Sequence, residues 1–481
     1  MIRLRPSRRT AVAPPAPSQP AGAATQISGP APRAAPAGGS AGLPARLLMG
    51  LLIFLVFSRT VELTGTRPLP VMEFLLVAYG LLTSRWTDLI SAKPTILLLA
   101  LTALMVPAGL FGNWPGGSVD LLTKVWAPSL LFYFIVVSLG RGLAGVRTVM
   151  SSMAWSVVAV AIQGTYMSHS LGGRLQVGHV TLGNPNDLAA VLLFGLPFCA
   201  WYVLGSGRPL ILRVVMAIMS AGALVMLLRT GSRMGLLAML WLGATLLIIA
   251  RGRLRLLLAV VALGTGVAAI FLLPEALQQR YETMVDNHVE GAQNNPSAQT
   301  AIGSSQARWA LFLHSLQVTA QHPLLGVGPG NFTGANADIT RRTGTGVSWQ
   351  VTHNSYTQVS SECGIPAAII FIWLIYTCLR TTNRLRKDME VRPELRVHAP
   401  MAFWIFISLS AYAFCAMFGC FVYGYQFPLL IAIAASLPGA AAGALAQPAG
   451  SPVPAGESLD RRPRPGDSRQ RRSNPRGVGR V

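Results

Sequence analysis

Apolar runs of 17 to 22 residues recur along this chain, separated mostly by short polar connections. That recurrence is the tightest constraint on its fold. A hydrocarbon layer about 30 Å thick is crossed by about 20 helical residues, and inside it every backbone N–H and C=O must find a protein partner. Helices meet that condition within one segment. The expected fold is therefore all-α, a polytopic integral membrane protein. Of the 481 residues 52% are hydrophobic and only 12% charged, about half the charged share of an ordinary soluble domain.

Twelve candidate spans follow, at 45–62, 67–83, 94–111, 121–139, 148–166, 186–204, 209–228, 232–250, 256–273, 354–379, 399–420 and 423–438. The first is short, and little more than Tyr423-Gly424-Tyr425 separates the last two. Residues 1–43 are rich in Ala, Pro and Gly, with Arg3, Arg5, Arg8 and Arg9 at the front. Residues 439–481 return to that composition and carry a basic run from Arg461 to Arg480. Neither segment has the apolar content of a core, so both are read as disordered basic cytoplasmic tails around a membrane domain at 44–438. Ser7-Arg8-Arg9 is not read as a cleaved signal, because no apolar run begins until Leu47. The five cysteines form no CxxC pair and suggest neither a disulfide framework nor a zinc site.

The formal charge of +22 would point a soluble protein toward nucleic acid. Here it sorts by side. With a cytoplasmic N-terminus, the inner segments hold 29 of the 39 Lys and Arg residues, nine of them in four short loops. That is the positive-inside pattern, with anionic lipid as a further attraction, and nucleic acid is excluded as a partner. Both termini are then cytoplasmic, and one large loop, 274–352, lies on the outer face.

Three motifs converge on that face. Gly183-Asn-Pro-Asn-Asp-Leu188 opens a span; Asn184 or Asn186 can cap its helix, and Asp187 favours the helix dipole. Arg229-Thr-Gly-Ser-Arg-Met-Gly235 joins two spans, with Ser232 as cap. Arg229 reads as a snorkelling anchor or a ligand. Arg233 in a first helical turn opposes the dipole by ~0.3–1 kcal/mol, but a helix N-terminus with a guanidinium is a good anion site. In the third motif, Val351 to Pro366, the loop enters the membrane with His353 and Asn354 at the lip. An interfacial histidine with a capping asparagine is the plain reading, a titratable imidazole held at the bilayer face the other. Glu362 is the only acid between Asp338 and Asp388 and sits where charge is costly.

Within the loop, Ser304 to Gln321 has helical periodicity, with Trp309, Phe312 and Leu316 on one side and Arg308 elsewhere. Arg308 is a solvated charge or a further cation of the site; Arg341 and Arg342 read as solvated. The glycine run 326–330 follows no strand of a βαβ unit and is not a nucleotide loop. The histidines lack metal-ligand spacing, so no metal or other cofactor is expected. Helix N-termini, arginines and one imidazole at a membrane edge suit an amphiphilic anion such as a lipid-linked phosphate or diphosphate. Arginine can stabilise charge on a leaving group, and histidine can take a proton from an incoming hydroxyl.

These motifs, in this order over about residues 180–380, resemble the O-antigen ligase family, which includes polysaccharide polymerases and bacterial protein O-oligosaccharyltransferases. The resemblance rests on Asn184-Pro-Asn-Asp-Leu-Ala189, Gly231-Ser-Arg-Met-Gly235, Arg308-Trp309 with the run His322 to Phe332, and His353-Asn354 followed by Gly364. Ala367 stands where the family more often has glycine. The resemblance implies a GT-C-like glycosyltransferase of the bacterial inner membrane. It would move a glycan from undecaprenyl diphosphate to an acceptor on the periplasmic side, with inversion and without metal. Arg233 and Arg308 would hold the diphosphate, and His353 would position or deprotonate the acceptor hydroxyl. Arg229, Asn184, Asn186, Asn354 and Glu362 would line the substrate site. Lipid A-core, a growing polysaccharide and a protein remain open as acceptors. A transporter or flippase would place charges deep in several spans, where this chain has only Glu73, Lys124 and Glu362. With an ordinary imidazole pKa of ~6.5, activity is expected to fall below about pH 6.

A cysteine introduced at Thr300 tests the orientation: an impermeant thiol reagent should label it from the periplasmic side of intact cells. Labelling from the cytoplasmic side alone would overturn both the topology and the mechanism built on it.

Overall fold

A computed structural model of the chain describes residues 41–446, apart from 65–67, 84–88, 172–173, 178–182, 206, 251 and 285–295. The tails at 1–40 and 447–481, and His179 and His288, lie outside the described residues. The chain is predominantly helical and polytopic, and a helix lies over each expected span. In order these are α1 (Leu43–Ser58), α2 (Leu69–Thr83), α3 (Lys93–Leu110), α4 (Pro115–Leu139), α5 (Gly142–Met167), α6 (Pro185–Leu204), α7 (Leu210–Arg229), α8 (Arg233–Ile249) and α9 (Gly252–Leu272). The loop after α9 holds α10 (Glu275–Glu282), α11 (Pro296–Gln321) and α12 (Phe332–Arg342). Then come α13 (Ser355–Val391), α14 (Ala399–Cys415) and α15 (Gln426–Leu445). Among the described residues, eight helices are long and apolar enough to cross a membrane, and α1, α2 and α8 are shorter apolar helices.

Three features depart from the expectation. The fold is not purely α: Ser168–Leu171 (β1) and Arg174–Val177 (β2) form an antiparallel hairpin, pairing Ser168 with Val177 and Leu171 with Arg174. Strands of four residues are too short to show a period of two in the sequence. The final helix continues through Pro438 to Leu445 rather than ending at 438. In α11, the stripe turned inward is Leu311, Ser315 and Val318, which packs with Val327 and Phe332, while Trp309 and Leu316 are exposed. Both stripes have helical spacing, and only the position of the glycine run beneath the helix chooses between them.

The bundle is held by apolar packing. Phe194 of α6, Phe371 of α13, Tyr412 of α14 and Phe427 of α15 are all fully buried. Their rings lie 5.1–5.6 Å apart, from Phe194–Tyr412 through Tyr412–Phe427 to Phe371–Phe427. Ring pairs at such separations add ~0.5–1.5 kcal/mol each beyond their buried area.

The decisive irregularity is in α13. Its two halves meet at Gly364, with φ 86° and ψ 170°, and Pro366 has no N–H to give. The break deprives the carbonyls of Ser361 and Glu362 of their helical donors. The glycine run supplies replacements: Val327 N–H donates to Ser361 O at 2.9 Å and Gly328 N–H to Glu362 O at 2.8 Å. In return Ile365 N–H donates to Pro323 O at 2.8 Å. The far side of the run is fixed by Asn331, whose Nδ2 donates to Val327 O at 3.0 Å and Ser118 Oγ at 3.1 Å. Leu325 to Asn331 thus clamps the loop after α9 to α13 and α4.

A Cβ at Gly364 would fall onto the Leu324 carbonyl in a backbone region that L side chains rarely adopt. Gly364→Ala should therefore cost at least ~1–3 kcal/mol from conformation alone, seen as a large fall in thermal midpoint and yield of the purified protein. Gly222→Ala, where a Cβ meets nothing within 4 Å, should leave both unchanged. Equal stability of the two variants would refute the clamp.

Candidate active site

The junction of α7 and α8 is built from backbone acceptors. Ser232 caps α8, accepting from Gly235 N–H at 3.2 Å, and its hydroxyl donates to Asn186 Oδ1 at 2.8 Å. Asn184 caps α6, accepting from Asn186 N–H at 2.9 Å. Gly231 turns the chain with φ +58°, and a Cβ there would press on Leu277, Arg280 and Arg174. Those two arginines bind the C-terminal end of α7: Arg174 Nε donates to Thr230 O and Arg280 Nε to Gly231 O, both at 2.9 Å. Cations suit that place, because the last carbonyls of a helix carry partial negative charge. Arg233 follows at the start of α8, its Nη2 donating to Ala301 O of α11 at 2.7 Å.

Arg308 of α11 closes the group. It makes no hydrogen bond among the described residues, and burial lowers its pKa. Arg174 is pushed down to about 10 by burial and then by the cations of Arg308 and Arg233. Arg280 is likewise pushed to about 10 by burial, then by Arg174, Arg233 and Arg308. All remain charged at neutral pH. Four guanidiniums therefore share one partly dry place, and neither Arg174, Arg233 nor Arg308 meets a carboxylate among the described residues.

His353 stands beside Arg308. Its backbone is left-handed, φ 52°, and its neighbours hold it so: Asn354 caps α13 by accepting from Tyr356 and Thr357 N–H at 2.9 and 3.2 Å. Thr352 Oγ1 donates to Asn354 O at 3.0 Å. A non-glycine residue in this region stores about 1–3 kcal/mol, an expense that an exact placement of the side chain explains. Burial, then the Arg308 cation, drives the imidazole pKa down to about 4. The ring is therefore neutral at neutral pH, and its unprotonated nitrogen can accept a proton.

Residues 214–372 match the family described as O-Antigen ligase. This segment belongs to the O-antigen ligase family. The matched span includes Arg233, Arg280, Arg308 and His353, while Arg174, Asn184 and Asn186 lie before it. No curated protein matches the chain. The match supports an O-antigen ligase- or polymerase-type membrane enzyme of surface polysaccharide assembly, of the glycosyltransferase and ligase class.

Of the residues expected at an O-antigen ligase site, the structure brings Arg233, Arg308 and His353 together. Asn186 joins them indirectly, holding Ser232 and, at 3.4 Å, Arg174 Nη2. Asn184 and Asn354 are helix caps. Arg229 is exposed at the end of α7. Glu362 is engaged elsewhere: it is 3% exposed and accepts from Tyr423 OH at 2.7 Å and from the N–H groups of Gly330 and Phe332. It braces the glycine clamp and the start of α12. Arg174 and Arg280 were not singled out from the sequence. Their one signal is distribution, since only ten basic residues lie outside the inner segments and four of those ten form the cluster.

Because the His353 pKa is lowered, the loss of activity on acidification moves down with it. The acid limb of kcat/KM, which reports the free enzyme, should fall near pH 4 rather than near 6.5. In kcat it should lie higher, because a bound diphosphate offsets the Arg308 charge. A single limb near 6.5 in kcat/KM would show a solvated imidazole. Arg174→Gln and Arg280→Gln should each lower kcat/KM about tenfold or more, measured at matched membrane levels.

Proposed function

We propose that this chain is a GT-C-like glycosyltransferase with twelve membrane crossings and both termini in the cytoplasm. It transfers a glycan from undecaprenyl diphosphate to an acceptor hydroxyl on the periplasmic face. The observation that carries this reading is the cluster of Arg174, Arg233, Arg280 and Arg308 beside the neutral imidazole of His353. A diphosphate is the anion that converging guanidiniums bind by charge-assisted hydrogen bonds, and its polyprenyl chain suits a site at the ends of membrane helices.

The reaction follows from the electrostatics. The acceptor oxygen attacks the anomeric carbon of the donor sugar from the face opposite the diphosphate. The new C–O bond forms as the anomeric carbon–phosphate oxygen bond breaks, and the electron pair leaves with undecaprenyl diphosphate. Negative charge grows on the departing oxygen, where preorganised guanidiniums stabilise it more than they stabilise the bound donor. His353 takes the acceptor proton and later returns it to solvent. Attack opposite the leaving group inverts the configuration.

Transfer from a purified lipid-linked donor in proteoliposomes, at matched protein levels, tests this. His353→Ala should slow turnover ~10²–10⁴-fold with donor KM nearly unchanged. Arg233→Ala should raise donor KM and lower kcat together. Arg233→Lys should restore activity only in part, because an ammonium lacks the planar bidentate contact. Near-normal rates in both alanine variants would remove the site, and near-normal rates in His353→Ala alone would remove the base.

A further inference from the structure

Helices α5, α6 and α13 reach the arginine–histidine site with one end and a second charged place with the other. Met167, Pro185 and Ser355 are their ends at the site; Gly142, Leu204 and the segment near Glu390 are the ends away from it. At 1.5 Å per residue, the 20 residues of α6 separate the two by about 30 Å. There a cavity of about 800 Å³ is lined by Arg147, Arg208, Arg253, Arg386 and Arg396. Glu390 is the one carboxylate among its lining residues, and it is bound to Arg386 Nη1 at 2.9 Å.

These arginines are not simply scattered loop charges. Arg208 is fixed by donating from Nη1 to the carbonyls of Trp201 and Tyr202 at 3.1 and 2.9 Å. Its guanidinium lies 4.0 Å above the Trp201 ring and 4.1 Å above that of Tyr202. Arg147 Nη2 is 3.1 Å from His398 Nδ1. A positive-inside bias requires basic residues in the loops but not their convergence on one hollow. The rest of the wall is apolar, with Trp201, Leu257 and Phe403. From Leu257 the apolar surface continues along the outside of α9 through Val260, Val261 and Leu263, all exposed.

A cationic hollow opening onto a membrane-facing apolar stripe fits an amphiphile with an anionic head. We infer that this cavity binds the phosphate head group of an anionic membrane phospholipid, with the acyl chains lying along α9. Arg208 and Arg147 form its ordered floor, and Arg253 and Arg396 at its exposed rim make the remaining phosphate contacts. A lipid held there joins the far ends of α6, α9, α13 and α14. It acts as a structural ligand, so it stabilises the folded protein by mass action.

The test uses the purified full chain in detergent and three additions: phosphatidylglycerol, phosphatidylcholine with the same acyl chains, and inorganic phosphate. Thermal unfolding and native mass spectrometry are the readouts. Phosphatidylglycerol should raise the unfolding midpoint and stay bound, and the other two should do neither. The double variant Arg253→Gln/Arg396→Gln removes two exposed side chains from the rim. It should keep the lipid-free midpoint and lose phosphatidylglycerol affinity about tenfold or more. Equal retention of both lipids, or unchanged affinity in the variant, would overturn the inference. A phosphate-induced shift as large as that of phosphatidylglycerol would assign the cavity to a soluble phosphate and overturn the lipid. No glycan transfer enters these readouts, so this result and the result for the proposed reaction stand apart.

Discussion

Inside a membrane, a broken helix is tolerable only where protein replaces the lost hydrogen bonds. Gly364 and Pro366 break α13 near its N-terminal end, and the Ser361 and Glu362 carbonyls are met by Val327 and Gly328. Each unpaired carbonyl at that depth would cost several kcal/mol. The pairing also transmits position. It holds Leu325 to Asn331 against α13, Asn331 holds that run against α4, and α11 packs above it through Leu311 and Val318. Arg308 rides on α11 and His353 on the approach to α13. The proximity of cation and imidazole thus depends on a handful of backbone hydrogen bonds some distance from both.

The arginine cluster works against stability. Burial disfavours the charge of Arg174 and Arg280, and the neighbouring cations add to that. The fold offsets part of it with carbonyls at the end of α7, which hold Arg174 and Arg280. What is left over is available to an anion. Burial, and after it the Arg308 cation, keeps His353 neutral. One charge distribution thereby sets a group of guanidiniums beside a neutral imidazole.

The polytopic helical architecture was legible in the chain because apolar length and basic-residue asymmetry are properties of local sequence. The helix caps at Asn184, Ser232 and Asn354 were legible for the same reason: a cap is decided by residues within one turn. Arg233, Arg308 and His353 could be singled out because each sits in a motif at a helix entrance or in the long loop after α9. The tertiary structure alone decided three things. It gave Glu362 to the clamp, since Tyr423 and the N–H groups of Gly330 and Phe332 arrive from distant segments. It turned the Leu311 stripe of α11 inward, because the glycine run lies beneath it. And it brought Arg174 and Arg280 to the site across 56 and 49 residues of chain to Thr230 and Gly231. Motif spacing measures distance along the backbone, whereas a charge acts through space.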